Sequence, residues 1–234
     1  MPNLIHGRNA VLEAARAGRV GKVYLAAGLG HDPRLVEIAR LAPVETVPPA
    51  RLDAMAPGVN QGVAAELKPR REWSLRQLLD SRPTLLVALD SILDPQNLGA
   101  VIRSAEVAGA DGAIVPEHRS APLSPTAVKA SSGASELLPI ARVSGLPSAI
   151  VEVKRAGIWC VALDPRGESM AWEFDFRQPV CVVVGGEGAG VQRLVKERCD
   201  VRVKLPMKGR IASLNASAAA AALLYEVLRQ RHAS

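Results

Sequence analysis

Cysteine is scarce and poorly placed for cross-linking. The three residues, Cys160, Cys181 and Cys199, are odd in number, widely spaced, and lie in or beside apolar segments. This argues against a disulfide framework or a zinc site, and the thiols read as reduced packing residues. Aromatic residues make up only 3% of the chain, too few for a surface that holds single strands by base stacking. Long apolar runs are missing as well: none approaches the roughly 20 residues of a membrane helix. The N-terminal MPNLIHGRNA lacks the apolar segment of a secretory signal. The expectation is a cytoplasmic protein with no membrane attachment. No His, Cys or carboxylate cluster has ligand spacing, so no metal is expected.

The chain also lacks a block of like charge. Its net charge is +6, and the first 72 residues hold ten Lys or Arg against seven Asp or Glu, which leaves +3 for the remainder. A pI near 9.6 favours an anionic partner. With so few aromatics, contact to phosphate and to folded shape is favoured over stacking. At 234 residues, 48% of them apolar, the chain has room for one large or two modest domains, each with a hydrophobic core.

Up to Leu67 short elements alternate in type. A helical GRNAVLEAARAG leads to the strand KVYLAAG, a second helix PRLVEIARLA leads to VETV, and PARLDAMAP is followed by VAAEL. Residues 1–67 therefore read as a small α/β domain. The charged segment KPRREWSLRQLLDSRP, with a proline near each end, reads as a linker over 68–82 with a short helix in it. From residue 83 to 234 the pattern is that of a second α/β domain. TLLVALD, GAIVP, GIWCVALD, PVCVVVGG and VRVKLP are continuous apolar runs, which predict a parallel sheet covered on both faces. The helices predicted between them are LGAVIRSAEVAGA, SPTAVKASSGASE, LPSAIVEVKRAG and GVQRLVKER, and NASAAAAALLYEVLRQR closes the chain. The alanine-rich first turns of that last helix suit close packing against a neighbour.

Three strand ends carry polar loops, the position at which open α/β sheets place their sites. The most conspicuous is VVVGGEGAG, a glutamate among glycines after a buried-type strand. Its spacing is G-x-G-x-G, no acidic residue follows at about 20 positions, and no Gly-Lys-Ser or Gly-Lys-Thr is present. It is therefore neither a dinucleotide fingerprint nor a P-loop. After TLLVALD, Asp94-Pro95 makes a turn, and Asn97 is a candidate cap for the helix that carries Arg103. After VRVKLP a polar loop brings Ser213 and Asn215 to the start of the last helix. Taken singly these are two caps, an exposed arginine and a turn.

Taken together, DPQNLGAVIRSAE, GGEGAGV and LPMKGRIASLNASAAAAALLYE, in this order and at these strand ends, resemble the three signature motifs of the SpoU (TrmH-like) family of RNA ribose 2'-O-methyltransferases. IHGRNAVLEA and VNQGVAAEL extend the resemblance over nearly the whole chain. They look most like the bacterial branch that methylates a large-subunit rRNA guanosine. The resemblance implies a SPOUT-type α/β fold with a C-terminal trefoil knot, a ribosomal-protein-like RNA-binding domain in front of it, and a homodimer. It also implies S-adenosylmethionine as methyl donor, held by the loop after Leu163, the loop at Gly185, Gly186 and Gly188, and the loop with Leu205, Met207, Ser213 and Leu214. Arg103 is the residue that the family pattern marks as essential. A guanidinium stays protonated, so the expected role is to clamp the phosphate and steady developing alkoxide charge, with Glu187 orienting it. Asn97 is expected near the ribose or holding its own loop, and Ser213 and Asn215 beside the donor. Ala216 and Ala218 depart from the larger aliphatics that relatives carry. The alternatives are a tRNA guanosine or a resistance-site rRNA as substrate, or an RNA-binding assembly factor without catalysis.

Overall fold

The structure, a computed structural model, describes residues 4–68, 72–188, 190–210 and 213–232. The first unit runs β1 (Leu4–His6), α1 (Arg8–Arg16), β2 (Val20–Ala26), α2 (Pro33–Leu41), β3 (Val44–Val47), α3 (Pro49–Met55) and β4 (Val63–Leu67). Its sheet has the order β1-β4-β2-β3, with β4 antiparallel to both neighbours and β2 parallel to β3. Residues of α1 and α2 bury Val11, Leu12 and Ile38 with Ile5, Val23 and Val63, while Leu52 of α3 packs with Tyr24 and Ala64. Two elements were not apparent in the sequence. The strand β1 has only three residues, too few to show a period, and α3 buries a single residue, Leu52.

The expected linker contains α4 (Leu75–Asp80), and residues 69–71 of it lie outside the described residues. This helix starts on a capping box, in which the Ser74 Oγ accepts from the Gln77 N–H at 3.2 Å and the Gln77 Oε1 accepts from the Ser74 N–H at 3.0 Å. Leu75 and Leu78 are buried under the second sheet, so this stretch is packed structure as well as a connection.

The second unit follows as β5 (Leu85–Asp90), α5 (Pro95–Val107), β6 (Gly112–Pro116), α6 (Pro125–Ala130), α7 (Ala134–Leu137), β7 (Ile140–Val143), α8 (Leu146–Arg155), β8 (Trp159–Leu163), β9 (Ser169–Met170), a 3₁₀ turn at Ala171–Glu173, β10 (Val180–Gly185), α9 (Arg193–Arg198), β11 (Val201–Lys204) and α10 (Ala216–His232). The sheet order is β7-β6-β5-β10-β8-β11-β9, and every pair is parallel. Alternate residues of one strand go to opposite layers, as pleating requires. Leu85, Val87 and Leu89 face the layer of α5 and α10, whereas Leu86 and Ala88 face that of α4, α8 and α9. Both layers are apolar, which is why the strands read as unbroken hydrophobic runs. Strands β7 and β9 were not apparent in the sequence, being four and two residues long. The helix expected over 124–136 is two helices broken at Gly133, whose φ is +90°. A Cβ there would lie 2.4 Å from Glu13 Cβ of α1.

That approach marks where the two units dock. Val128 of α6 belongs to the core of the first unit, and Arg19 Nε lies 3.1 Å from Glu136 Oε2 with the carboxylate side chain 1% exposed. The three cysteines, distant in sequence, converge. Cys160 and Cys181 face each other in register on β8 and β10, and Cys199 packs against the same layer. The hydrogen bond with Cys160 and burial raise the Cys181 thiol well above its ordinary value, and burial pushes Cys199 up to about 12. All three are free thiols, and the raised values of Cys181 and Cys199 keep those two protonated and unreactive. Among the described residues no helix is long and apolar enough to cross a membrane, and no three His, Cys, Asp or Glu are grouped so as to hold a metal ion.

Candidate functional site

Parallel strands point all their carboxyl ends one way, so the loops after β8, β10 and β11 open on the same edge of the sheet. They enclose a cavity of about 380 Å³, within the roughly 300–1,000 Å³ of small-molecule sites. Every expected cofactor-binding residue lines it: Leu163 from the first loop, Gly185, Gly186 and Gly188 from the second, and Leu205, Met207, Ser213 and Leu214 from the third. Glu187 and Asn215 also line it, and Pro165, Val184, Gly190, Ala216 and Ala219 complete the wall. Of these, Pro165, Val184 and Ala219 were not singled out in the sequence, whereas Gly190 belongs to the expected glycine loop; the small side chains of Ala216 and Ala219 at the start of α10 leave the cavity its room. Ala189, Ile211 and Ala212, within the second and third loops, lie outside the described residues.

The first loop is fixed by Asp164. Its Oδ1 accepts from the Arg166 N–H at 3.0 Å, and its Oδ2 lies 2.9 Å from Lys196 Nζ. Burial by itself raises this carboxyl, but the Arg166 N–H and Lys196 outweigh it and hold the group below its ordinary value.

The glycines of the second loop divide by purpose. A Cβ on Gly185 would fall 1.9 Å from Gly190 C and 2.1 Å from Val191 N, and one on Gly186 would fall 2.1 Å from Ser91 O. Gly185 and Gly186, which line the cavity, are therefore also required by backbone packing within the chain. Gly188 and Gly190 have φ of +80° and +63°, and a Cβ on either would meet nothing within 4 Å. At these two positions of the loop the bare backbone faces open space.

At the rim a hydrogen-bonded cluster joins all three signature segments. Asn97 Nδ2 donates to Glu187 Oε1 at 3.1 Å, and Asn215 Nδ2 donates to the same oxygen at 2.7 Å and to Asn97 Oδ1 at 3.0 Å. Asn215 also caps α10: its Oδ1 accepts from the Ser217 N–H at 2.9 Å and the Ser217 hydroxyl at 2.6 Å. Asn97 is not the cap of α5. Asp94 holds that position, its Oδ1 accepting from the Gln96 N–H at 3.0 Å, which leaves the buried amide of Asn97 free to reach Glu187. Among the described residues nothing bonds to Glu187 Oε2, which leaves one oxygen of the carboxylate for a ligand.

Arg103 stands apart, and the expected Glu187–Arg103 pair is not formed within the chain. Six residues along a helix are about 9 Å of rise, and a turn of about 600° leaves the two side chains about 120° apart, so Asn97 and Arg103 cannot share a face. Arg103 is exposed and lines a separate cleft of about 340 Å³ with Asn9 and Glu13 of α1 and Glu106 and Val107 of α5. Ser213 lies at the cavity wall, exposed. In all, the site is an apolar-walled cavity with two bare backbone positions and one carboxylate, suited to a partly apolar ligand that carries positive charge.

Comparison with known proteins agrees with this arrangement. The profile of the SpoU rRNA Methylase family matches residues 84–225, and a profile described as RNA 2'-O ribose methyltransferase substrate binding matches residues 4–73. The chain is 39% identical to the 23S rRNA (guanosine-2'-O-)-methyltransferase RlmB of Pseudomonas aeruginosa, over 91% of this chain and 90% of that one. The SpoU methyltransferase AviRb from Streptomyces viridochromogenes, solved in complex with the cofactor AdoMet, superposes with a TM-score of 0.83 at 30% identity, covering 99% of this chain and 91% of the other. The solved structure described as the A. aeolicus TrmH/SpoU tRNA modifying enzyme covers only 68% of this chain and 83% of its own, with a TM-score of 0.58 and 28% identity. On its sequence and its fold, the chain belongs to the SpoU family of RNA 2'-O-ribose methyltransferases.

Proposed function

We propose that the protein transfers a methyl group from S-adenosylmethionine to a ribose 2'-hydroxyl of rRNA, a guanosine of 23S rRNA, in the cytoplasm and without a metal. The observation that carries this reading is the meeting of Asn97, Glu187 and Asn215, one from each signature segment, at the rim of the three-loop cavity. Near full-length likeness to a 23S rRNA guanosine methyltransferase supports the rRNA substrate. The partial match to a tRNA-modifying relative speaks against tRNA. On this reading residues 1–67 are the RNA-binding domain, 68–82 the connection and 83–234 the catalytic domain.

The cavity's residues suit the donor. Leu163, Leu205 and Met207 give apolar walls, Gly188 and Gly190 give backbone at close range, and the charge of Glu187 complements a sulfonium. The donor supplies an activated methyl group that needs no acid to help its departure. The protein's part is to place the ribose in line and, as the 2'-hydroxyl gives up its proton to water and the carbon–sulfur bond breaks, to steady the charge that grows on O2'. The guanidinium fork of Arg103 does this and also holds an adjacent phosphate.

Because Arg103 does not face the cavity of its own chain, the active form is a homodimer in which a second copy brings it. The row Ala218, Ala222 and Tyr225 is exposed along α10, whereas Ala216 and Ala220 are buried within the chain, so one side of the alanine stripe is free for the partner. The C-terminal passage from β11 through the third loop to α10, which packs back on α5 and β10, is the part of the chain that forms the family's trefoil knot.

The first unit is less of an electrostatic grip than its charge suggests. Arg8, Arg16, Arg19, Lys22, Arg34 and Arg51 are all ion-paired within the unit or to Glu136. Arg166, Lys208 and Arg210, next in sequence or nearly so to the cavity residues Pro165 and Met207, form no ion pair among the described residues, and phosphate contacts are assigned to them beside those of the first unit. The test is methyl transfer from labelled donor to 23S rRNA fragments, with the modified nucleotide mapped and binding followed across a salt series. Site-specific 2'-O-methylation in the presence of chelator is expected. Replacing Lys208 and Arg210 with Ala should flatten the log–log salt dependence by about 0.7–0.9 for each phosphate that is no longer neutralised. No transfer to any rRNA, or a strict need for metal, would sink the reading.

A further inference from the structure

One buried carboxylate near the site takes no part in the three-loop cavity. Asp90, the last residue of β5, is 3% exposed, pairs in register with Gly185, and forms no ion pair among the described residues. Its Oδ2 accepts from the Gln192 backbone N–H at 2.6 Å, and its Oδ1 accepts from the Ser91 hydroxyl at 3.1 Å. The Ser91 Oγ in turn accepts from Gln192 Nε2 at 2.6 Å, and the Asp90 carbonyl accepts from the Gly186 N–H at 2.9 Å. Ser91 holds a φ of +57°, unusual for a residue with a side chain.

These contacts share one geometry. Gly186 and Gln192 stand at the two ends of the loop that carries Glu187 and Gly188, and Asp90 with Ser91 binds both ends. A carboxylate shut away from water without a cation is costly. It is retained here by donors that are charge-assisted and so about twice as strong as neutral ones. None of Asp90, Ser91 and Gln192 lines the cavity, so they act on it only through the loop.

We propose that Asp90, Ser91 and Gln192 form a latch of positioning residues that closes the neck of the Gly186–Gln192 loop and thereby sets Gly188 and the Glu187 carboxylate for the methyl donor. The latch governs donor affinity and leaves the transfer step to Arg103. It rests on the three-loop cavity being the donor site.

The test uses the full chain with Asp90→Asn, Ser91→Gly and Gln192→Met, reading the donor dissociation constant by calorimetry, donor KM and kcat on rRNA, and melting temperature. Asp90→Asn is expected to raise the dissociation constant and KM for S-adenosylmethionine about 10–100-fold, the range for a hydrogen bond to a charged group. At saturating donor, kcat should fall by less than about threefold. Ser91→Gly removes the hydroxyl link and relieves the left-handed backbone, so it should keep or raise the melting temperature while donor KM rises about three- to tenfold. Gln192→Met should behave like Ser91→Gly in KM, and these two decide the matter if Asp90→Asn does not fold. Folded variants with unchanged donor affinity, or with kcat lost at unchanged donor KM, overturn the latch. Failure of the unmodified protein to bind the donor overturns instead the reading on which it rests.

Discussion

Arg103→Ala is expected to lower kcat for methyl transfer by at least about 10²–10³-fold, the loss seen when one group that stabilises developing negative charge is removed, while donor affinity changes by less than about twofold. The split follows from geometry: eight expected donor-binding residues line the three-loop cavity, and Arg103 lines a different cleft. Titration calorimetry and single-turnover transfer measure the two halves separately. A collapse of donor binding would place Arg103 at the donor after all. Mixing Arg103→Ala chains with Glu187→Ala chains extends the test, because each mixed dimer then holds one pocket with an intact carboxylate and an intact arginine from the other copy. Recovery of activity on mixing is the expected result. Its absence would show that Arg103 works within its own chain.

Gly185→Ala is expected to cost at least about 3 kcal/mol and to abolish donor binding. The added Cβ would lie 1.9, 2.1 and 2.3 Å from Gly190 C, Val191 N and Gly190 O, all of them backbone, so the loop neck must open to admit it. For a chain of this size the melting temperature should fall by about 6–12 °C. Gly188→Ala is the contrast. Its Cβ meets nothing within 4 Å, and the cost is that of holding φ at +80°, about 1–2 kcal/mol. Calorimetric melting of both variants, followed by donor titration, checks the pair. A Gly185→Ala protein that melts normally and binds donor would mean that this neck is not as tight as described.

The two glycines also show how far the sequence could be read. VVVGGEGAG announces a special turn at a strand end, and the continuous apolar strands announce a sheet buried on both faces; both are local patterns with a period or a spacing. What the glycines face is not local. Gly186 is constrained by Ser91, some 95 positions away, and no spacing rule links them. The same holds for Asn97 and Asn215, 118 residues apart, each of which is an ordinary helix-start residue until the fold brings both to Glu187. Arg103 is a different case. Once Asp94 is taken as the cap and Pro95 as the first helical residue, the helical angle already separates Arg103 from Asn97, so that divergence was legible in the sequence. The convergence of three cysteines needed the register of β8 against β10, which the sequence does not carry. Membership of the SpoU family was legible in the motif order, independently of any of these contacts.

The position of β10 bears on how the chain is made. Val180 pairs with Leu85 on one side and with Trp159 on the other, so the strand at the middle of the sheet is among the last to be synthesised, and its two neighbours have no bond to each other. At about 5–20 residues per second, β5 waits roughly 5–20 s for this partner, offering an unpaired edge of buried-type residues throughout. Contacts so distant in sequence also make the closing step slow. A nascent chain interrupted anywhere between residues 91 and 179 has neither a joined sheet nor the glycine loop, and its exposed strand edges are those most prone to pair with another unfinished copy.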